Sequence, residues 1–279
     1  MSQTAVQAGA YLHHLQLQSS DPAKLADFYA RALDMRSEKM ADGRWLCRGP
    51  SRRVLFAEGA PKTLGFAAFA CRDRDALDAL RKHVSARAVT IETAPTPLFR
   101  EGAFAVRDPD GNMMVFGLAL EGADRSTGLK APLQHVTIAS EDVPAIEAFY
   151  VDVLGFAVSD RVRNTQGDLT TSFLRSNHEH HTLACFRRAE KGLDHHSYEA
   201  GEWILIRDWS DRFGSLKIPL MWGPGRHGPG NNLFVFIADP EGNWIEVSAE
   251  LEVIHDRPVQ EWPHEPRTLN LWGQAIMRS

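Results

Sequence analysis

Cysteine is scarce in this chain. The 279 residues include only Cys47, Cys71 and Cys185, and no two of them have CxxC spacing. An odd, scattered set argues against a disulfide framework and against a thiolate zinc site. We therefore expect reduced thiols and a cytoplasmic location.

Long hydrophobic runs and an excess of positive charge are also missing. No stretch reaches the ~18 uninterrupted apolar residues that a membrane span needs, and the N-terminus does not resemble a signal peptide. Lys and Arg number 31 against 36 Asp and Glu, which gives a formal charge of -5. This balance supplies no field to attract phosphate backbones. We expect neither a membrane nor a nucleic acid as a partner.

What the sequence does contain is an internal repeat within an ordinary globular composition, 43% hydrophobic and 24% charged. His14 lies 121 positions before His135, and Asp108 lies 131 positions before Asp239. The matching segments are YLHHLQLQSSDPAKLADFYARALDM with LQHVTIASEDVPAIEAFYVDVLGF, and RDPDGNMMVF with ADPEGNWIEV. Two homologous halves are indicated.

Both halves predict the same order of elements. The segment around His135 alternates between two faces, as a strand does, with Val136 on the opposite face. A helix follows, because apolar residues recur with helical spacing from Leu25 and at the matching place in the second half. The turn sequence DPEG between residues 233–237 and 244–249 predicts an antiparallel hairpin.

Each half is long enough for a second module of a strand, a helix and further strands, which would start near Leu64 in the first half and near Leu193 in the second. We therefore predict an α+β protein with two domains, each built from two βαβββ modules. Residues 251–279 form a tail that is too proline-rich for a long helix, and we expect it to wrap over the second domain.

Three side chains of the second half are candidate metal ligands. His135 and Glu246 lie inside strand-like segments where alternation would otherwise place an apolar residue, and His196 has the matching place in DHHSYEA. Burying such groups costs roughly several kcal/mol unless they are paired or ligated. Two His and one carboxylate from three strands form the facial triad that suits non-haem Fe(II).

The first half serves as an internal control. The counterpart of Glu246 is Val115, that of His196 is about Phe66, and only His14 is retained. One imidazole cannot hold a metal alone. We predict that the N-terminal domain, residues 1–122, is metal-free, and that the C-terminal domain, residues 131–250, holds the metal.

The second half also carries the motifs of a known family. These motifs are LQHVTI, FLRSNHEHHTLACF, LDHHSYE and PLMWGPGRHGPGNNLFVFIADPEGNWIEV. From about Leu12 to Glu250 the chain resembles the type I extradiol ring-cleaving dioxygenases of the vicinal oxygen chelate superfamily. The resemblance implies meta cleavage of a catecholic aromatic diol by O2 at a mononuclear Fe(II), or alternatively Mn(II), in aromatic-compound degradation. It implies that the C-terminal domain, residues 131–250, is a half-open catalytic barrel around the metal. It also implies no organic cofactor and a homo-oligomer.

The resemblance also implies a role for individual residues. His135, His196 and Glu246 would be the ligands, with His195 as the alternative for the second position. His181 would be the acid-base residue outside the ligand set, and His227 would hydrogen-bond substrate or an oxygen species.

Five further residues around the predicted site are assigned to the substrate pocket or to the surface. Phe236, Phe173 and Trp244 are expected to line the substrate pocket, but Phe236 stands where the family often has a Tyr that donates a hydrogen bond to the substrate. His178 and His180, in the same loop as His181, are predicted to be solvated surface residues.

Two other classes in the superfamily remain open. Glyoxalase-type isomerases and lyases use two carboxylates and usually four protein ligands, whereas three are found here. Metal-free ligand-binding proteins would not need His135, His196, Glu246 and His181 together.

Overall fold

The computed structural model describes residues 3–120 and 128–277. The predicted domain boundary at residue 122 lies outside the described residues. The strands are β1 (Tyr11–Ser19), β2 (Arg36–Lys39), β3 (Trp45–Gly49), β4 (Arg52–Glu58), β5 (Thr63–Ala70), β6 (Glu92–Thr93), β7 (Phe104–Arg107), β8 (Met113–Gly117), β9 (Leu133–Ser140), β10 (Ala157–Arg163), β11 (Leu169–Arg175), β12 (Leu183–Arg187), β13 (Gly192–Glu199), β14 (Trp222–Arg226), β15 (Leu233–Ala238), β16 (Trp244–Ala249) and β17 (Gln260–Pro263). The helices are α1 (Pro22–Ala32), α2 (Arg74–Ser85), α3 (Val143–Ala148, continued by a wider helical turn over Phe149–Leu154), α4 (Trp203–Ser215) and α5 (Pro266–Leu269).

These strands form two mixed sheets. Their orders are β2-β3-β4-β1-β5-β8-β7-β6 and β14-β15-β16-β13-β9-β12-β11-β10-β17. In each sheet, two modules of one strand, a helix and three further strands meet through their first strands, at β1–β5 and at β9–β13. The prediction of an α+β fold built from four βαβββ modules is confirmed.

The first helix of each half begins at the residue that the sequence suggests. The Asp21 carboxylate accepts the Lys24 amide at 3.1 Å, and the Asp142 carboxylate accepts the Ala145 amide at 3.0 Å. Each aspartate satisfies an amide that has no partner inside the helix, and each is followed within two residues by a proline of the first turn. The two halves therefore begin their helices in the same way.

The two faces of the second sheet are chemically different. Val136 and Ile138 of β9 and Ile245 and Val247 of β16 join the large apolar core that also contains α1, α2 and α4 residues. Residues one position away along each strand point to the other face, because side chains alternate along a strand. His135, Thr137 and Glu246 therefore lie on the face opposite the core, which we call the barrel face, while their neighbours anchor the strands in the core.

The C-terminal segment packs on the second sheet. β17 pairs in parallel with β10 at the sheet edge, with Asp160 beside Gln260 and Arg163 beside Pro263. α5 is four residues long. Among the described residues, no helix is long and apolar enough to cross a bilayer.

Candidate metal centre

Three neighbouring strands bring His135, His195 and Glu246 together. His135 lies on β9, His195 on β13 and Glu246 on β16, and each side chain is at most 5% exposed. His135 Nε2 lies 3.2 Å from His195 Nε2 and 3.1 Å from Glu246 Oε2. His195 Nε2 lies 3.5 Å from the same oxygen. The three atoms form a small triangle on the barrel face of the sheet.

Residue His196 is not part of this triangle, so the prediction that it supplies the second imidazole is wrong. Ser197, paired with both His135 and Glu246, shares their face of the sheet, and His195, two residues away, shares it too. His196 points to the opposite face, because a shift of one residue reverses the side of a strand. There its Nε2 lies 2.9 Å from the Tyr29 hydroxyl of the first half.

Two buried oxygens orient the imidazoles. Gln134 donates its amide N–H to the His181 carbonyl at 2.6 Å, which leaves Gln134 Oε1 facing His135 Nδ1 at 2.6 Å. Asp194 Oδ1 lies 2.5 Å from His195 Nδ1. These acceptors favour the hydrogen on Nδ1 of each ring, so both Nε2 atoms present lone pairs to Glu246.

The Glu246 carboxylate divides its two oxygens between different partners. Oε2 faces the imidazoles, while Oε1 accepts the Asn232 amide N–H at 3.2 Å and lies 3.6 Å from His227 Nε2. Burial raises the pKa of the Glu246 carboxyl, but hydrogen bonds that the His135, His195 and His227 rings can donate when no cation lies between them outweigh it and hold the pKa well below its usual range. Burial also lowers the pKa of His135. Glu246 is therefore an anion facing neutral imidazoles.

The triangle fits a single divalent cation. Ligand bonds of roughly 2.0–2.2 Å at angles of roughly 90–110° separate the ligand atoms by roughly 2.8–3.6 Å. The observed separations of 3.1, 3.2 and 3.5 Å lie in that range. Two imidazole lone pairs and a carboxylate directed at one point repel each other unless a cation lies between them. Two nitrogens and one oxygen suit iron or manganese among the first-row metals.

A cavity opens beside this triangle, and two of the predicted catalytic residues lie in its wall. His181 is 4% exposed, and its ring centroid lies 4.3 Å from that of His135. Burial, reinforced by the neighbouring His135, lowers the pKa of His181 well below its usual value, so the ring is neutral. His227 stacks on Phe234 at 4.0 Å. The cavity is lined by His135, Thr137, Phe173, His181, Phe186, His195, His227, Pro229, Asn232, Glu246, Thr268 and Leu269.

The three residues predicted to line the substrate pocket are placed differently. Phe173 lies in the cavity wall, 5.1 Å from the His181 ring. Phe236 pairs with Glu246 across β15 and β16, and its ring lies 5.3 Å from that of His195, in an adjoining apolar recess. Among the described residues, Trp244 is not part of either wall and instead contacts Phe236, with 5.6 Å between ring centroids.

Residue His180 is fully buried, so the prediction of a solvated residue is wrong for it. Its Nδ1 lies 2.9 Å from His181 Nδ1, and its Nε2 lies 3.0 Å from the buried Asp160 carboxylate. His178 is exposed, which confirms the prediction for that residue, and its Nδ1 lies 3.1 Å from the Ile254 carbonyl. Asp160 of β10 and Glu252 of the C-terminal segment lie against His180, and sequence periodicity does not reveal this burial.

Some residues around the site were not anticipated. Gln134 and Asp194 directly precede the two imidazoles, and a polar residue immediately before a strand histidine is a signal that could have been used. Thr268 and Leu269 come from the C-terminal segment, where the Leu269 carbonyl lies 2.5 Å from His227 Nδ1. Such a contact depends on how the tail folds back.

Comparisons with known proteins agree with this architecture. The family model described as Glyoxalase/Bleomycin resistance protein/Dioxygenase superfamily matches residues 11–116 and 133–247. Metapyrocatechase 2 from Cupriavidus necator is 26% identical over 75% of this chain and 70% of its own length. The 3-methylcatechol 2,3-dioxygenase from Pseudomonas putida is 24% identical over 91% of this chain and 97% of its own length.

At least one solved structure has a similar fold. Homoprotocatechuate 2,3-dioxygenase from Arthrobacter globiformis superposes with a TM-score of 0.83 at 21% identity, covering 99% of this chain and 90% of that one. Because the family model matches most of both repeats, including the positions of His135, His195 and Glu246, the chain belongs to the glyoxalase/bleomycin resistance protein/dioxygenase superfamily, and its curated relatives include extradiol dioxygenases.

Proposed function

We propose that this protein is an extradiol dioxygenase that cleaves a catecholic ring with O2, using Fe(II) bound by His135, His195 and Glu246. The observation that carries the proposal is the convergence of two imidazole lone pairs and one carboxylate oxygen beside a cavity. Three protein ligands leave coordination positions for a diol and for O2. The names of the curated relatives support the same substrate class.

The division of the chain follows from the placement of these ligands. We infer that residues 131–250 are the catalytic domain, that residues 1–122 are a metal-free domain and that residues 251–279 are a tail contributing to the cavity wall. Bound Fe(II) would supply a redox centre through which electrons can pass from the diol to O2. The protein supplies the shape, charge and proton acceptors around that centre.

His181 is the proposed acid-base residue. Its ring is neutral and lies against His135, where it can accept a proton from a diol in the cavity and later return it. His227, whose Nδ1 is held by the Leu269 carbonyl, presents Nε2 towards Glu246 and the cavity. We assign His227 to hydrogen bonding with substrate or an oxygen species.

The apolar walls limit what the cavity can recognise. Phe173 and Phe186 face the site on one side, and Phe236 offers no O–H donor on another. Aromatic rings pack against a flat aromatic substrate at their faces and edges. An aromatic diol with an apolar remainder fits this lining.

An iron assay combined with oxygen uptake tests the proposal. The protein loaded anaerobically with Fe(II) should bind about one iron per chain through the three ligands. It should then consume O2 with at least one member of a catechol panel and give a yellow ring-cleaved product. Loading with Mn(II) in parallel identifies the preferred metal. Iron binding without oxygen uptake across the panel would contradict the assignment.

Three further expectations stay predictions. The three cysteines are unpaired and buried, which suits a reducing compartment such as the cytoplasm. Size measurement in solution tests the expected homo-oligomer. A role in aromatic-compound degradation follows only if a catechol proves to be the substrate.

A further inference from the structure

A chain of buried polar groups runs from His181 away from the cavity. His181 Nδ1 contacts His180 Nδ1 at 2.9 Å, and His180 Nε2 contacts Asp160 Oδ2 at 3.0 Å. Both His180 and Asp160 are completely buried. The C-terminal segment completes the chain, because Arg257 Nη1 lies 2.9 Å from Asp160 Oδ1 and Trp262 donates its indole N–H to Asp160 Oδ2 at 2.8 Å.

The far end of this chain is an ionised carboxylate. Burial alone would raise the pKa of Asp160, but the contacts with His180 and Trp262 and the charge of Arg257 outweigh it, so its pKa is lowered. An ionised carboxylate can only accept hydrogen bonds. The nearest nitrogen of His180, Nε2, must therefore carry the hydrogen.

The ionised Asp160 carboxylate determines where the hydrogens lie on His180 and His181. The tautomer of His180 with its hydrogen on Nε2 has a bare Nδ1, and this atom accepts a hydrogen bond from Nδ1–H of His181 at 2.9 Å. A neutral imidazole carries one hydrogen, so the Nε2 atom of His181 is left as the proton acceptor. This arrangement has the logic of a carboxylate that selects the tautomer of a catalytic histidine, extended by one ring.

We propose that Asp160 and His180 are positioning residues that fix the hydrogen of His181 on Nδ1 and leave its Nε2 atom facing away from His180 as the proton acceptor. The surroundings of His180 hold its ring in place, because Nε2 lies 3.0 Å from the Asp160 carboxylate and 4.0 Å from the Glu252 carboxylate, and Arg257 binds both carboxylates. Arg257 and Trp262 of the C-terminal segment thereby act on the site through Asp160 and His180, although neither residue lines the cavity.

The first half of the protein offers a matched control. His13 and His14 are also adjacent buried histidines with a 2.7 Å contact between their Nδ1 atoms, and they lie in the sheet without the ligand triangle. Replacing His13 measures what it costs to lose such a pair without touching the site.

The test compares His180→Leu and His180→Asn with His13→Leu in the Fe(II)-loaded full chain. His180→Leu removes the acceptor for His181, and we expect kcat to fall roughly 10- to 100-fold with KM and iron content nearly unchanged. Asn keeps an oxygen near the position of Nδ1, so His180→Asn should recover most of the loss. His13→Leu should leave kcat unchanged. Equal kcat in wild type and His180→Leu, or a parallel loss of iron in both His180 variants, would overturn the proposal.

A spectroscopic measurement separates this inference from the proposed function on which the role of His181 rests. Nitrogen-15 NMR of the Zn(II)-loaded wild-type chain should show His181 with its hydrogen on Nδ1, and His180→Leu should shift it towards Nε2. A His181 hydrogen on Nε2 in the wild type would refute the inference even if catechol is cleaved. The Nδ1 form together with absent oxygen uptake would refute only the proposed function.

Discussion

The two halves of this protein pair their strands in the same way, but the barrel face is mostly apolar in the first half and carries the candidate metal ligands in the second. His14 pairs beside Ala68 as His135 pairs beside Ser197, and Phe66 stands two residues from Ala68 as His195 stands two residues from Ser197. The ring centroids of His14 and Phe66 are 5.6 Å apart and nearly perpendicular, while those of His135 and His195 are 5.3 Å apart and nearly perpendicular. The backbone therefore places two rings in the same way in both halves.

The difference lies in which atoms those rings present. In the first half Phe66 and Val115 belong to an apolar cluster that fills the barrel face, and His14 is satisfied by the Thr96 hydroxyl at 2.6 Å. In the second half the matching positions hold His195 and Glu246. The same architecture forms with an apolar cluster on this face or with the ligand triangle. The triangle is therefore not required for the fold.

The largest expected effect comes from removing the imidazole of His195, whose counterpart in the first half is Phe66. His195→Ala should abolish iron binding, because two ligands cannot replace three, whereas His14→Ala should leave the iron content unchanged. Metal analysis after anaerobic loading gives the result. Iron lost from the His14 variant, or retained by the His195 variant, would mean that the halves do not differ as described.

A second contrast concerns Glu199, a partly buried acid at the end of β13, where the first half has Ala70. Burial raises the pKa of Glu199 from 4.5 to about 7 despite the hydrogen bond from Ser248. A raised pKa stabilises the folded state below pH 4.5, and this contribution is lost as the pH rises through about 7.

The expected outcome is a pH-dependent gain in the Glu199→Gln variant. Relative to wild type, its free energy of unfolding should rise by up to about 3 kcal/mol between pH 4 and pH 8, because the neutral amide carries no buried charge. Urea unfolding in a chelator at several pH values measures this difference. Glu58→Gln, at an exposed position of β4, should show no such trend. A constant difference for Glu199→Gln would show that the acid is not perturbed.

A third experiment uses a pair of reciprocal contacts between the halves. Tyr29 of the first half donates to Asp239 of the second at 3.2 Å, and Tyr150 of the second donates to Asp108 of the first at 3.2 Å. Each Tyr→Phe change should cost about 1–2 kcal/mol of unfolding free energy. Tyr29→Phe should cost more, since it also leaves His196 Nε2 without its 2.9 Å partner. A larger loss for Tyr150→Phe in urea unfolding would contradict this asymmetry.

The smallest effect is expected at Phe236, whose counterpart opposite Val115 is Ala105. Phe236→Tyr adds one hydroxyl to a ring of the same size, so unfolding free energy should change by less than about 1 kcal/mol. If the hydroxyl reaches the substrate oxygen, turnover of a simple catechol should hold or rise. Collapse of turnover with iron still bound would show that the substrate itself fills this space.

Sequence reasoning could predict the repeat and the modules because both depend on local periodicity. The spacing of apolar residues after Asp21 and Asp142 gives the helices, and the DPEG turn gives the hairpin of β15 and β16. His135 and Glu246 were also identifiable, since each interrupts an apolar strand pattern. The burial of His180 was not, because it depends on Asp160 and on the returning C-terminal segment.

The sequence by itself thus determined the architecture, two of the three candidate ligands and the absence of such ligands from the first half. Only the tertiary structure decided between His195 and His196, which are adjacent and chemically identical. A strand points successive side chains to opposite faces, so the choice depends on which face β13 turns towards β9 and β16. Pairing between strands far apart in sequence sets that face, and it places His195 beside Glu246 and His196 beside Tyr29.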